Sequence, residues 1–177
     1  MPTKVELVPY SADWQVIAQH EALRLIQAIK GHIIEVHHIG STAIPGIHAK
    51  PIIDLMPVVR GLSELDDEVS VFRQLGYRYR GENGIVGRRY CTFNEPSTGR
   101  RRYQVHCFAS GSSEIERHLA FRDYMRAHPE KALEYEAEKR RCRELHPEDS
   151  HAYSDAKADW ITGVLPAALA HFARQSS

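Results

Sequence analysis

Two neighbouring stretches, His38-Ile39-Gly40-Ser41-Thr42-Ala43-Ile44-Pro45-Gly46 and Ala49-Lys50-Pro51-Ile52-Ile53-Asp54-Leu55-Met56-Pro57-Val58, decide how this chain is read. The run Ile33 to Ile39 predicts a strand, Gly40-Ser41 a tight turn or single helical turn reaching Gly46, and the run from Pro51 a second strand. Gly40 would let the backbone approach a phosphate closely, and Ser41 offers a hydroxyl and an amide N–H. Asp54 could hold a hard divalent cation, magnesium or manganese. Strand alternation puts Ile52, Asp54, Met56 and Val58 on one face and Ile53, Leu55 and Pro57 on the other. Met56 thus stands two residues on from Asp54 and on the same face, where a second acid could join Asp54 on one cation. A carboxylate among aliphatic residues costs several kcal/mol unless it is paired, metal-bound or open to solvent. Asp54 is therefore either a site acid or a strand-end carboxylate with a structural hydrogen bond.

Working outward, Val5 to Val8 reads as a short first strand and Pro9-Tyr10-Ser11 as a turn into a helix with Ser11 near its cap. Trp14, Ile17, Ala18, Ala22, Leu25, Ile26 and Ile29 give that helix one apolar face, ended by Gly31. Ser63 and Asp66 cap a helix carrying Leu65, Val69, Phe72 and Leu75 and closed by Gly76. Residues 77–80, 88–93 and 102–108 read as strands between turn-rich clusters. From Ser113, paired with Glu116 as a capping box, the chain turns helical. One helix ends before Pro129, a second runs from Pro129 to about Leu145, and a last one starts at Asp149 or Ser150 with Pro166 as a kink point. No repeat or linker interrupts this order. The expectation is one domain over residues 1–177, of α/β (α+β) class: a mixed β-sheet with helices packed on it and a helical C-terminal third.

Composition narrows the function. Hydrophobic residues at 42% and charged residues at 26% exclude a disordered or fibrous chain. The 23 basic residues are matched by 23 acidic ones, so no basic surplus is available for nucleic acid. The start, Met1-Pro2-Thr3-Lys4-Val5-Glu6, has no basic segment followed by an apolar one, and no apolar run reaches membrane-spanning length. Cys91, Cys107 and Cys142 are odd in number and widely spaced, against both a disulfide framework and a zinc knuckle. The reading is a cytoplasmic protein with neither membrane nor nucleic acid as partner.

Further residues could complete a site around Asp54. In Tyr103-Gln104-Val105-His106-Cys107-Phe108, Gln104 and His106 share a face, and His106 could ligate a transition metal or act as a base, or be a half-buried structural histidine. His37, His38 and His48 show no zinc-binding spacing. Lys50 precedes the acidic strand. Lys139 shares a helix face with Ala132, Tyr135 and Cys142, and Lys157 shares one with Tyr153, Trp160 and Val164. Each lysine either snorkels to solvent or points across the sheet end at a phosphate. Arg122, beside Asp123, is a further phosphate candidate.

The long central motif, with Pro9-Tyr10 and Trp14, His118-Leu119-Ala120-Phe121-Arg122-Asp123-Tyr124, Arg126-Ala127-His128-Pro129, Tyr153 and Lys157, closely resembles the GrpB family of small bacterial proteins. The resemblance covers almost the whole chain. It implies the nucleotidyltransferase fold of the DNA polymerase β superfamily, with Gly40 and Ser41 at the phosphate turn and Asp54 as the first metal-binding acid. His106 matches the second histidine of a His-Leu-His pattern, with Gln104 at the first. Met56 departs from the superfamily's catalytic signature. The resemblance also implies a link to dephospho-CoA kinase, to which such a domain is fused in some bacteria. Two functions remain open: a metal-dependent nucleotidyltransferase acting on a nucleoside triphosphate and a small acceptor, and an inactive accessory protein that binds a nucleotide or coenzyme A precursor. A metal-dependent phosphohydrolase is a third.

Overall fold

The computed structural model describes residues 3–175; Met1, Pro2, Ser176 and Ser177, at the ends of the expected domain, lie outside the described residues. The elements are α1 (Asp13–Ala28), β1 (Ile33–Ile39), a 3-10 turn (Ser41–Ala43), β2 (Ile53–Val59), α2 (Leu62–Asp67) and α3 (Val69–Gln74). There follow β3 (Arg78–Tyr79), β4 (Arg88–Asn94), β5 (Arg101–Ala109), α4 (Ser113–Ala127), α5 (Pro129–Leu145), α6 (Ser150–Ala156) and α7 (Ala158–Gln175). The strands form one mixed sheet in the order β1-β2-β5-β4-β3, parallel between β2 and β5 and antiparallel elsewhere. This is the mixed α+β architecture that the alternation of strand and helix patterns led one to expect.

Period-two alternation sorts the core into two sides. Ile53, Leu55 and Val59 of β2 pack with Val105 and Cys107 of β5 against Trp14, Ala18, Leu25 and Ile29 of α1 and Phe72 of α3. On the opposite face Met56 joins Ile39 and Phe108 under Ile115 and Leu119 of α4. A third cluster joins Ile44 and Ile47, from the segment between β1 and β2, to Met125, Ala132 and Tyr135 of α4 and α5. The helical third is thus packed onto the link between the first two strands. Glu21, buried on α1, accepts from Tyr77 Oη at 2.7 Å and from Arg24 Nη2 at 2.7 Å, which satisfies a carboxylate that would otherwise be costly.

Several local expectations need correction. Residues 5–8 form no strand: Val8 makes a single antiparallel bridge to Ala49, and Val5 N donates to Pro147 O while its side chain packs with Cys142 and Tyr153. The start of the segment thus finds its partners on the helical third, and Val8 at its end packs against the core beneath the sheet. The expected helix over 63–76 is two helices broken at Glu68, and its N-cap is Gly61, with Asp66 bound instead to Arg89. The cap of α4 is Ser112, whose side chain accepts from Glu114 N, and with Ile115 at the third helical position the expected Ser113–Glu116 capping box does not form. The last helix breaks at Lys157, not at Pro166, which lies within α7; Pro166 removes one backbone donor there without ending the helix.

Candidate phosphate and acid site

Gly40 ends β1 with φ 72° and ψ −172°, a backbone region open essentially to glycine alone. A Cβ built there would lie 2.5 Å from Asp54 Oδ2. The reason is the strand register: Ile39 pairs with Asp54 across β1 and β2, so the turn leaves the sheet directly over the carboxylate. Absence of a side chain at position 40 is therefore what lets the phosphate-type turn and the acid share one place.

His106 lies on the same sheet face, with Nε2 3.3 Å from Asp54 Oδ1 and Nδ1 3.3 Å from Arg88 Nη1. A guanidinium only donates, so Nδ1 is the acceptor and Nε2 carries the hydrogen given to Asp54. Arg88 is buried, and its other nitrogens donate to the carbonyls of Glu82 at 3.1 Å and Asn83 at 2.7 Å. The loop before β4 thus sets the imidazole, and the imidazole sets the acid, leaving Oδ2 towards Gly40. Arg88→Met is expected to free the imidazole to populate both tautomers, as read from its 15N resonances. It should also cost about 1–3 kcal/mol by leaving the two carbonyls unpaired.

The lysines do not snorkel freely. Lys139 is buried on α5 and its Nζ donates to His48 O. Its Nζ stands 4.8 Å from the centre of the Tyr135 ring, and Ser41 Oγ donates to Tyr135 Oη at 3.4 Å. Lys50 and Lys157 both face the ring of Tyr153, at 5.2 Å and 4.6 Å. Burial, then the charge of Lys157, pushes Lys139 down to about 7, and the same two causes push Lys50 down to about 8. Burial lowers Lys157 as well, against the attraction of Asp54. The structure therefore brings Gly40, Ser41, Lys50, Asp54, His106, Lys139 and Lys157 into one neighbourhood.

Arg122 is committed elsewhere: Nε and Nη2 bind Asp123 at 2.7 and 3.1 Å, and Nη1 donates to His38 O at 3.1 Å. Arg126 Nε donates to Ala43 O at 2.8 Å. Arg122 and Arg126 of α4 thus brace the end of β1 and the turn that follows it. His38 Nε2 and Thr42 Oγ1, 2.9 Å apart, add an internal tie, and burial pushes His38 down to about 4, so the ring is neutral. Arg88 and the tyrosine platforms carry structure here that the sequence motifs did not single out. Tyr135 and Tyr153 shared helix faces with the lysines, but nothing in the sequence placed Arg88 beside His106, because only strand pairing does so.

The donor set is thin for a metal. Met56 is fully buried in the apolar cluster with Ile39 and Phe108, so a carboxylate at that position would have no solvent and no partner. Among the described residues, no group of three or more His, Cys, Asp or Glu side chains is placed to hold an ion. Magnesium is commonly held by one or two carboxylates plus substrate phosphates, and only that mode fits a single Asp54.

A mixed sheet with a Gly-Ser turn over an acid, faced by a helical third, is the nucleotidyltransferase-like fold. In agreement, the chain aligns with the solved Escherichia coli MS115-1 CdnC:HORMA-deltaN complex over 80% of its length and 55% of that chain, with a TM-score of 0.50. The identity is 14%, so the likeness speaks for the fold alone. The chain belongs to the GrpB family: the family model described as GrpB protein matches residues 4–166. The solved conserved protein GrpB from Enterococcus faecalis is similar at 34% identity and a TM-score of 0.87, over 94% of this chain and 99% of that one. UPF0157 protein YqkA of Bacillus subtilis is 40% identical over 158 residues, 89% of this chain but 45% of YqkA, so the chain spans less than half of that relative. A dephospho-CoA kinase of Mycolicibacterium paratuberculosis is 29% identical, with 89% of this chain matched to 44% of that protein. No helix among the described residues is long and apolar enough to cross a membrane.

Proposed function

We propose that this protein binds the phosphate tail of a nucleoside triphosphate, or of a related phosphorylated small molecule, and transfers a nucleotidyl group from it to a small acceptor. The observation that carries this reading is that Lys50 and Lys157 converge on the Tyr153 ring within reach of Asp54, while Lys139 stands at the Tyr135 ring whose hydroxyl accepts from Ser41 and Gly40 abuts the Asp54 carboxylate. Amides and hydroxyl of the turn would hold phosphate oxygens, and the lysines would offset charge developing on the leaving pyrophosphate as an acceptor oxygen attacks the α-phosphorus in line. Asp54 Oδ2, left free by His106, would accept the acceptor's proton. A magnesium or manganese ion, with Asp54 as its protein carboxylate and His106 beside it, would supply Lewis acidity at the same place.

A second reading is favoured by one observation. The buried Met56 leaves the acid set incomplete, which suits a nucleotide-binding or coenzyme A precursor-binding accessory protein acting with a dephospho-CoA kinase. Thermal shift across triphosphates and coenzyme A precursors, each with and without magnesium or manganese, tests the shared premise, because ligand binding to the native state alone raises Tm. No shift with any of them at millimolar concentration would sink both readings. Pyrophosphate release separates the two. Asp54→Asn should abolish release by the enzyme, about a hundredfold or more, while leaving triphosphate binding and the fold in place. A large fall in apo Tm with unchanged ligand binding would instead make Asp54 a structural carboxylate.

A further inference from the structure

We infer that binding of the phosphate tail does not require a divalent cation, its charge being met by Lys50, Lys139 and Lys157, so that a cation on Asp54 would serve the transfer step alone. This deepens the polyphosphate reading above and rests on it.

The charges facing one another across the site are unequal. Lys139 meets Lys157, Arg140 and one carboxylate, Glu136. Glu136 is already engaged, accepting from His48 N at 2.8 Å and from Arg140 Nη2 at 2.7 Å. Lys50 meets Lys157, Arg101 and Asp54, and Lys157 meets Asp54. Asp54 itself already takes a hydrogen bond from His106. Lys50 and Lys157 thus share the one acid Asp54, and Lys139, facing Lys157, has only the already engaged Glu136. Two of the three lysines stand over a single aromatic ring and the third over another. The ring faces soften the burial of these cations but do not neutralise them. Like charges held this close repel, so the arrangement opposes folding unless an anion arrives. The position where a second metal-binding carboxylate would stand is instead Met56, sealed under α4. A site that gathers cations on one side and omits carboxylates on the other is built to receive a naked polyanion. A cation held by the protein before the phosphates arrive would need further acids, and no group of three or more His, Cys, Asp or Glu side chains stands together among the described residues.

Inorganic tripolyphosphate is the probe, titrated by calorimetry into the whole chain in EDTA and again with excess magnesium. The expected result is saturable binding in EDTA, weakened by less than a few-fold relative to magnesium. Lys157→Met and Lys139→Met should each lower the EDTA affinity by about tenfold or more, as loss of a charge-assisted contact does. Orthophosphate in EDTA should bind far more weakly, because it reaches fewer lysines. Binding only when magnesium is present overturns this inference and leaves the triphosphate reading standing. Binding in neither condition overturns both. Binding in EDTA that survives both lysine substitutions also overturns it, by placing the anion elsewhere. Lys139→Met removes a buried hydrogen bond and could impair folding; Lys157→Met then decides alone, with circular dichroism confirming its fold.

Discussion

Gly40→Ala is expected to abolish triphosphate and tripolyphosphate binding, by about a hundredfold or more, and to lower Tm measurably. The backbone alone contributes about 1–3 kcal/mol of strain, since φ 72° with ψ −172° is closed to alanine. At this chain length each kcal/mol corresponds to about 2–4 °C. The new Cβ would also sit 2.5 Å from Asp54 Oδ2, so the turn or the acid must move, and displacements of that size typically cost about a hundredfold in function. Gly46→Ala is the matched control. It lies at φ 82° in the same segment, but a Cβ there meets nothing within 4 Å. It should share the loss of stability and keep the binding. Equal loss of binding in both variants would show that strain, not the approach to Asp54, is what matters.

Lys157→Met should separate stability from binding in the opposite sense. Removing the cation whose charge opposes both Lys50 and Lys139 is expected to raise the Tm of the ligand-free protein by a few degrees, on the order of 1 kcal/mol, while tripolyphosphate affinity falls about tenfold or more. The pH dependence follows from the same charges. Lys139 at about 7 and Lys50 at about 8 lie below their ordinary value of 10.5. Between those values the unfolded chain binds more protons than the native one, so these groups make the ligand-free protein more stable as pH rises through that window. Anion binding runs the other way. It selects the protonated amines, so affinity should fall as pH rises through 7 to 8, with proton uptake on binding near neutral pH. Calorimetry in buffers of different ionisation enthalpy measures that uptake; proton release on binding would contradict the lysine site.

The parts of this molecule written in short-range pattern were legible from sequence. β1 spans Ile33–Ile39 as the run of apolar and β-branched residues predicts, and the faces of β2 follow its alternation, with Met56 inward under α4. Gly40, Ser41 and Asp54 meet because they flank one turn. What depended on distant partners was not legible. Val5 to Val8 has strand composition yet joins no strand, because Val5 bonds Pro147 and packs with Tyr153 of the helical third while Val8 bridges Ala49 alone. Arg122 looked like a phosphate ligand by type, but Asp123 and the His38 carbonyl occupy its guanidinium. Arg88 gave no signal at all, since its meaning comes from the β4–β5 pairing that sets Tyr90 opposite His106.

The way α4 and α5 grip the segment between β1 and β2 has a consequence for biogenesis. Arg122 and Arg126 reach back 84 and 83 residues to the carbonyls of His38, near the end of β1, and of Ala43 in the segment, and Tyr135, Glu136 and Lys139 reach back 94, 88 and 91 residues to Ser41 and His48. Loops of that length close slowly, after local helices and hairpins have formed. During synthesis the sheet half leaves the ribosome with its turn unbraced and two of its three lysines not yet made. If the proposed anion site is right, a nascent chain would complete it only once residue 157 has emerged and docked, and ligand engagement would then report on the folding of the helical third.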